Sequence, residues 1–237
     1  ETSTGLVNPV ADIAAVTRAR GRKLLVDAMS SFGALPCPLS DWQADALVTS
    51  ANKCLQGVPG LALIVAKRAL IVAAQGQARS VSLDLAAQLA GLDRDGQFRF
   101  TPPTHVLLAL RQALHELAEE GGPTARLARY RQNQATLLAG MRDLGFQTLL
   151  PPERLSPIIT SFLMPSQPGF DFPAFYRALA ERGFVIYPGK VSRADCFRIG
   201  TIGRIGPEQV RALLTAIAQV LAEMGLPLPL PAVEAGK

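Results

Sequence analysis

Hydrophobic positions along this chain switch between two periods, and the switches mark its elements. Val10, Ile13, Ala14 and Val16 recur at helical spacing through about Arg20, after Asn8 as a capping residue and Pro9 at the first helical position. Leu24 to Val26 is a short apolar run ended by Asp27, Ala46 to Thr49 is a second, and Leu61 to Ala66, bounded by Gly60 and Lys67, is a third. Runs of that length flanked by turn residues predict buried strands, with Pro36 to Asp41 as a loop between the first two. Ser82 to Ala90 reads as a helix followed by a polar Gly91 to Gln97 loop, and His105 to Glu120 as a long amphipathic helix. Gly121-Gly122-Pro123 breaks it, and another helix runs to about Leu144.

Beyond Pro151-Pro152 the order changes. Ile158 to Met164 predicts a strand, Phe172 to Arg182 a helix, Phe184 to Ile186 and Cys196 to Ile199 further strands, and Pro207 to Met224 a helix with Val210, Leu213, Leu214, Ile217 and Val220 inward. The expected fold class is therefore α/β over residues 1–120, with a mixed, mostly parallel sheet, and then a small α+β domain over 121–225. Residues 226–237, rich in proline, are expected to form a loose tail. A sheet with only these strands would lack neighbours, so the chain reads as the C-terminal part of a longer protein.

With 237 residues, 49% of them hydrophobic, a packed core is ample. No apolar run approaches a membrane span and nothing resembles a signal peptide, which predicts a soluble, cytoplasmic protein with no membrane partner. The three cysteines, Cys37, Cys54 and Cys196, have neither disulfide-framework nor zinc spacing. Net charge is +5, but the arginines are scattered along helices, which argues against nucleic acid.

Chemistry concentrates in Ser50-Ala51-Asn52-Lys53-Cys54-Leu55-Gln56-Gly57-Val58-Pro59-Gly60, where a lysine follows a strand and precedes a tight turn. Asp27 ends the earlier strand and enters the small-residue loop Ala28-Met29-Ser30-Ser31-Phe32-Gly33. An acid and a lysine at the ends of two strands converge on the ligand edge of an open α/β sheet. Other motifs fail: Gly200, Gly203 and Gly206 do not make a dinucleotide fingerprint, and Val191 in Pro188-Gly189-Lys190-Val191 replaces the hydroxyl of a phosphate-binding loop. His105 and His115, both in a helical stretch, do not support a metal site, and none is expected. A fixed lysine, an aspartate and hydroxyls for a phosphate suit pyridoxal phosphate, whose aldehyde condenses with an amine and whose ring nitrogen must keep its proton.

The strings ETSTGLVNP, VDAMSSFGA, SANKCLQGVPG, RFTPPTH, IYPGKVS and FRIGTIG together resemble the class V aminotransferases of fold type I, and within them the branch that transaminates 2-aminoethylphosphonate with pyruvate. The resemblance runs from Glu1 to about Met224. It implies pyridoxal 5'-phosphate on Lys53, with Asp27 as pyridinium partner, Thr2, Met29 and Asn52 as cofactor contacts, and Thr101 reaching the phosphate of the neighbouring subunit in a homodimer. Arg198 would clamp the phosphonate of one substrate and the carboxylate of the other. Thr201, Arg204 and Phe98 depart from the pattern, standing where asparagine, an acid and tryptophan are expected.

From the residues alone the alternatives stay open. Asp27 could cap the following turn, Thr101 could be a helix N-cap, Arg198 the outward side of a half-exposed strand, and Met29 a core residue. The activity could also be of the serine:pyruvate or alanine:glyoxylate type, and a non-catalytic α/β fragment or binding module is the rival from another class.

Overall fold

The computed structural model describes residues 1–189 and 194–231. Lys190 and Val191 of the Pro188-Gly189-Lys190-Val191 piece, and residues 232–237 of the proline-rich stretch, lie outside the described residues. The chain divides into two compact units, Pro9–Gly122 and a second made of Glu1–Asn8 with Pro123–Lys237. Residues 1–8, which the sequence pattern groups with the leading unit, thus cluster with the trailing one.

In the leading unit, α1 (Val10–Ala19) precedes β1 (Leu25–Asp27), α2 (Leu39–Trp42), β2 (Ala46–Ser50), β3 (Ala62–Ala66), α3 (Arg68–Ala73), α4 (Leu85–Asp95) and α5 (Thr104–Glu120). The sheet order is β1-β2-β3, with β1 parallel to β2 and β3 antiparallel to it. It is a mixed sheet with as many antiparallel as parallel pairings. Val26, Ala28 and Leu47 bury one cluster with Ala44; Ala51 and Leu55 bury a second against Leu110 and Leu117 of α5. The second cluster lies under the lysine loop.

Several boundaries move for local reasons. Pro9 occupies the N-cap of α1 without a side-chain cap, so Asn8 plays no capping part. Residues 39–41 of the expected loop coil, with Trp42, into α2, and α3 was not foreseen because its apolar run has no periodic polar face. At α4 the start shifts to Asp84, whose Oδ1 accepts the Ala87 N–H, and the helix continues to Asp95, where left-handed Gly96 stops it.

The trailing unit contains α6 (Gly122–Asp143), β4 (Ile159–Leu163), α7 (Phe172–Glu181), β5 (Tyr187–Pro188), β6 (Cys196–Gly200) and α8 (Pro207–Glu223). Its antiparallel sheet has the order β4-β6-β5. Phe162 and Phe197 stack across β4 and β6 with centroids 5.8 Å apart, and Phe146, Phe175, Leu137, Met141 and Ile217 close the core around them. Residues 184–186 are not a strand: Gly183, at φ 85°, ends α7, Ile186 turns into the core, and pairing begins only at Tyr187. The tail expectation is corrected for its described part, since Leu226 and Leu230 are buried in this core and the Leu230 N–H donates to Leu144 O at 2.9 Å. Among the described residues no helix is long and apolar enough to cross a membrane.

Candidate active site

Parallel pairing decides where the leading unit can bind a ligand. Asp27 stands opposite Val48, so β1 and β2 run the same way and release their chains at one edge. The ladder extends a step past Asp27 through the Ala28 N–H to Val48 O, 2.9 Å, and the Thr49 hydroxyl donates to Ala28 O at 3.2 Å. The two loops are then tied directly. The Cys54 thiol donates to Ser30 O at 3.1 Å, and a Cβ at Gly33, where φ is +95°, would come within 2.7 Å of Leu55 Cδ2. Lys53, next to fully buried Cys54 and two residues after fully buried Ala51, is half-buried on a closed turn in which Gln56 N–H donates to Lys53 O and Gly57 N–H to Ala51 O. Its backbone is fixed while its amine remains accessible.

Asp27 accepts the Met29 N–H on Oδ1 at 2.9 Å, so it does cap the following turn, and among the described residues Oδ2 has no protein partner. The carboxylate is therefore aimed by one oxygen and free to bind with the other. Met29 and Asn52 are exposed at the same edge, and Met29 is no core residue. Thr101 is exposed, and it is not the cap of α5, which begins after Pro103 with no side-chain cap. Among the described residues no group of three or more His, Cys, Asp or Glu could hold a metal ion. A cavity of about 390 Å³ beside Asp45 and Lys67 opens at the opposite end of β2 from the lysine.

The trailing unit holds Thr2 and Arg198. The chain start is folded on itself: burial pushes the Glu1 carboxyl up, but the Thr4 hydroxyl and the Ser3 and Thr4 amides donate to it and hold it at about 2. Gly5, at φ +83°, lies so close to β4 that a Cβ there would be 2.6 Å from Ile159 O. This segment covers the outer face of the sheet. Ser161 donates to Ser3 O at 3.3 Å, and Arg198 donates through Nη1 to Thr2 O at 3.1 Å and through Nε to Pro188 O at 3.1 Å. Arg198 is consequently 7% exposed, not half-exposed as strand alternation alone would allow.

The structure thus gathers Asp27, Met29, Asn52 and Lys53 at one sheet edge of the leading unit, and Thr2 with Arg198 in the trailing one. Ser161 and Tyr187 escaped the sequence reading; both sit in the cross-strand row of Arg198, a relation only the pairing register reveals. Of the departing positions, Thr201 is buried and donates to Pro157 O at 2.7 Å, a structural tie, while Arg204 and Phe98 are exposed.

The chain is 54% identical over 218 residues to a 2-aminoethylphosphonate–pyruvate transaminase of Salmonella schwarzengrund, covering 92% of the chain and 59% of that protein, and 54% identical over 219 residues to one of Aeromonas hydrophila. It spans about 59% of the length of the curated relatives it matches. Among solved structures, pyridoxamine–pyruvate aminotransferase of Mesorhizobium loti superposes with a TM-score of 0.85 at 30% identity, over 96% of this chain and 59% of that one. Ureidoglycine–glyoxylate aminotransferase of Bacillus subtilis does so with 0.83 at 27%, over 100% and 61%. The fold is that of the fold type I aminotransferases. The family model for class V aminotransferases matches residues 1–192, and the chain belongs to that family.

Proposed function

We propose that the protein of which this chain is part is a cytoplasmic, homodimeric, pyridoxal 5'-phosphate-dependent transaminase that converts 2-aminoethylphosphonate and pyruvate into phosphonoacetaldehyde and L-alanine. The observation that carries the reading is the tie between the two loops at one sheet edge, Cys54 to Ser30, which brings the ends of the Asp27 and Lys53 strands together. The names of the relatives at 54% identity support the substrate pair.

The donor set fits the cofactor: a half-buried lysine on a fixed backbone turn at Lys53, an aimed carboxylate on Asp27 with one oxygen free of protein partners, and an exposed thioether and amide beside them on Met29 and Asn52. When bound, pyridoxal phosphate supplies an aldehyde that captures amines and a ring that accepts the electron pair left when a proton leaves the substrate carbon. Lys53 would hold the group through its amine, and that amine, once free, would act as the base and acid at the substrate carbon. Asp27 keeps the proton on the ring nitrogen by charge-assisted pairing. Thr2 would contact the cofactor, and Thr101 would serve the phosphate held by the neighbouring subunit of the proposed dimer. Arg198 pairs with the phosphonate in one half-reaction and the carboxylate in the other, as a planar guanidinium suits both.

The test mixes full-length protein with the aminophosphonate and pyruvate and measures alanine. Ping-pong kinetics and alanine formation are expected. Glycine from alanine plus glyoxylate, with no alanine from the first pair, would reject the substrate choice in favour of an alanine:glyoxylate-type enzyme. Borohydride reduction and peptide mapping should find a pyridoxyl group on Lys53; its absence would support the non-catalytic reading.

A further inference from the structure

Arg198 stands in the middle of a row that crosses the second sheet. Ser161 lies opposite it on β4 and Tyr187 opposite it on β5, so all three side chains share the face turned away from the phenylalanine core. The guanidinium is held on two sides by carbonyls, Pro188 O at Nε and Thr2 O at Nη1, each at 3.1 Å. Those bonds fix two atoms of a planar group. The Tyr187 ring bounds it as well, with the Arg198 Cζ 5.8 Å from the ring centroid.

The position of that ring is built in. β5 is the edge strand, where Pro188 leaves no N–H unpaired, and the Gly189 N–H donates to Cys196 O at 2.8 Å. A Cβ at Gly189 would meet that same carbonyl at 2.2 Å, so only glycine lets β5 lie at this distance from β6. Tyr187 is 53% exposed, so one side of its ring faces outward while the other faces the nearly buried cation of Arg198. An aromatic wall there screens the guanidinium from water on one side and leaves an anion to approach along the remaining N–H groups.

We propose that Tyr187 is a positioning residue for the anion-binding guanidinium of Arg198, its ring setting the plane in which the fork meets a phosphonate or carboxylate. The proposal rests on Arg198 binding substrate anions, as read above. It assigns the work to the ring and none to the hydroxyl.

The experiment compares full-length wild type with Tyr187→Phe, Tyr187→Leu and Tyr187→Ala in steady-state kinetics, with methylphosphonate as a competitive inhibitor. Loss of the ring should raise KM for the anionic substrates and the inhibition constant of methylphosphonate together, about three- to tenfold, with kcat falling less. Tyr187→Phe should stay within about twofold of wild type. Tyr187→Leu keeps the bulk of the site and decides the matter if the alanine variant does not fold. Unchanged KM in Tyr187→Leu, or equal damage from Tyr187→Phe, overturns the proposal. If wild type uses alanine and glyoxylate instead of the aminophosphonate, the substrate reading falls while the same comparison, made with those carboxylates, still decides on Tyr187. No turnover with either pair removes both.

Discussion

Lys53 is the residue on which chemistry and structure converge most narrowly. Its backbone is pinned by the Gln56 and Gly57 amides and by buried neighbours, while its side chain is only half-buried. Lys53→Arg keeps the charge but removes a usable free amine, because the guanidinium stays protonated. Turnover by the full-length protein should fall by about 10²–10⁴-fold, the range of a lost proton-transfer group, and borohydride should leave no pyridoxyl on that peptide. Asp27→Asn is milder. The amide oxygen can still accept the Met29 N–H, so the turn survives, but the charge proposed to pair with the ring nitrogen is gone. Activity should fall roughly 10- to 100-fold, as for losing one charge-assisted hydrogen bond, with thermal stability nearly unchanged. A comparable loss of melting temperature would mean that Asp27 serves the fold and not the cofactor.

At the scale of elements, two devices hold the loops that carry the candidate site residues, and they differ in how far they can be read from sequence. The strand-ending Asp27 and Lys53 were legible because an α/β alternation of short apolar runs fixes parallel strands, and parallel strands end at one edge. The docking of residues 1–8 on the second sheet was not, since it joins Ser3 to Ser161, 158 positions apart, through a backbone carbonyl that has no sequence signature. Nor was β5, a strand of two residues whose register shows only in the pairing with Arg198. The docked segment makes Gly5 indispensable: Gly5→Ala meets both the positive φ and the Ile159 carbonyl. It should cost about 1–3 kcal/mol and be seen as a lower melting temperature with raised KM for both substrates. At the other end of β2, Asp45 accepts the Leu24 N–H and pairs with Lys67 at 3.0 Å, and these bonds hold its carboxyl below the ordinary range despite burial. A depressed folded-state value stabilises at pH above the unfolded value of about 3.9 and is lost as pH falls through the folded one. Asp45→Asn should therefore melt well below wild type at pH 7, and the gap should close below about pH 4.

The whole molecule distributes its apolar surface unevenly. Leu25 on edge strand β1, Ile64 and Val65 on edge strand β3, Val72 on α3, and Val81, Leu83, Phe98 and Phe100 around α4 are all exposed in the leading unit, whereas the trailing unit closes its phenylalanine core. Two strand edges and these exposed aliphatic and aromatic side chains are surfaces on which a further segment or chain can pack. The chain spans 59% of its relatives' length, and the homodimer proposed above would give these faces a partner. Thr101 lies next to Phe100 in this exposed stretch, where a dimer contact would carry it to the neighbouring site. Expressed as Glu1–Lys237 alone, the chain should bind a hydrophobic dye strongly, sediment as a mixture of assemblies, and take up less pyridoxyl on Lys53 than the full-length protein under identical reduction. A single sharp sedimenting species with little dye binding and full labelling would show instead that the leading unit is complete as it stands, and that nothing beyond it is needed to seat the cofactor.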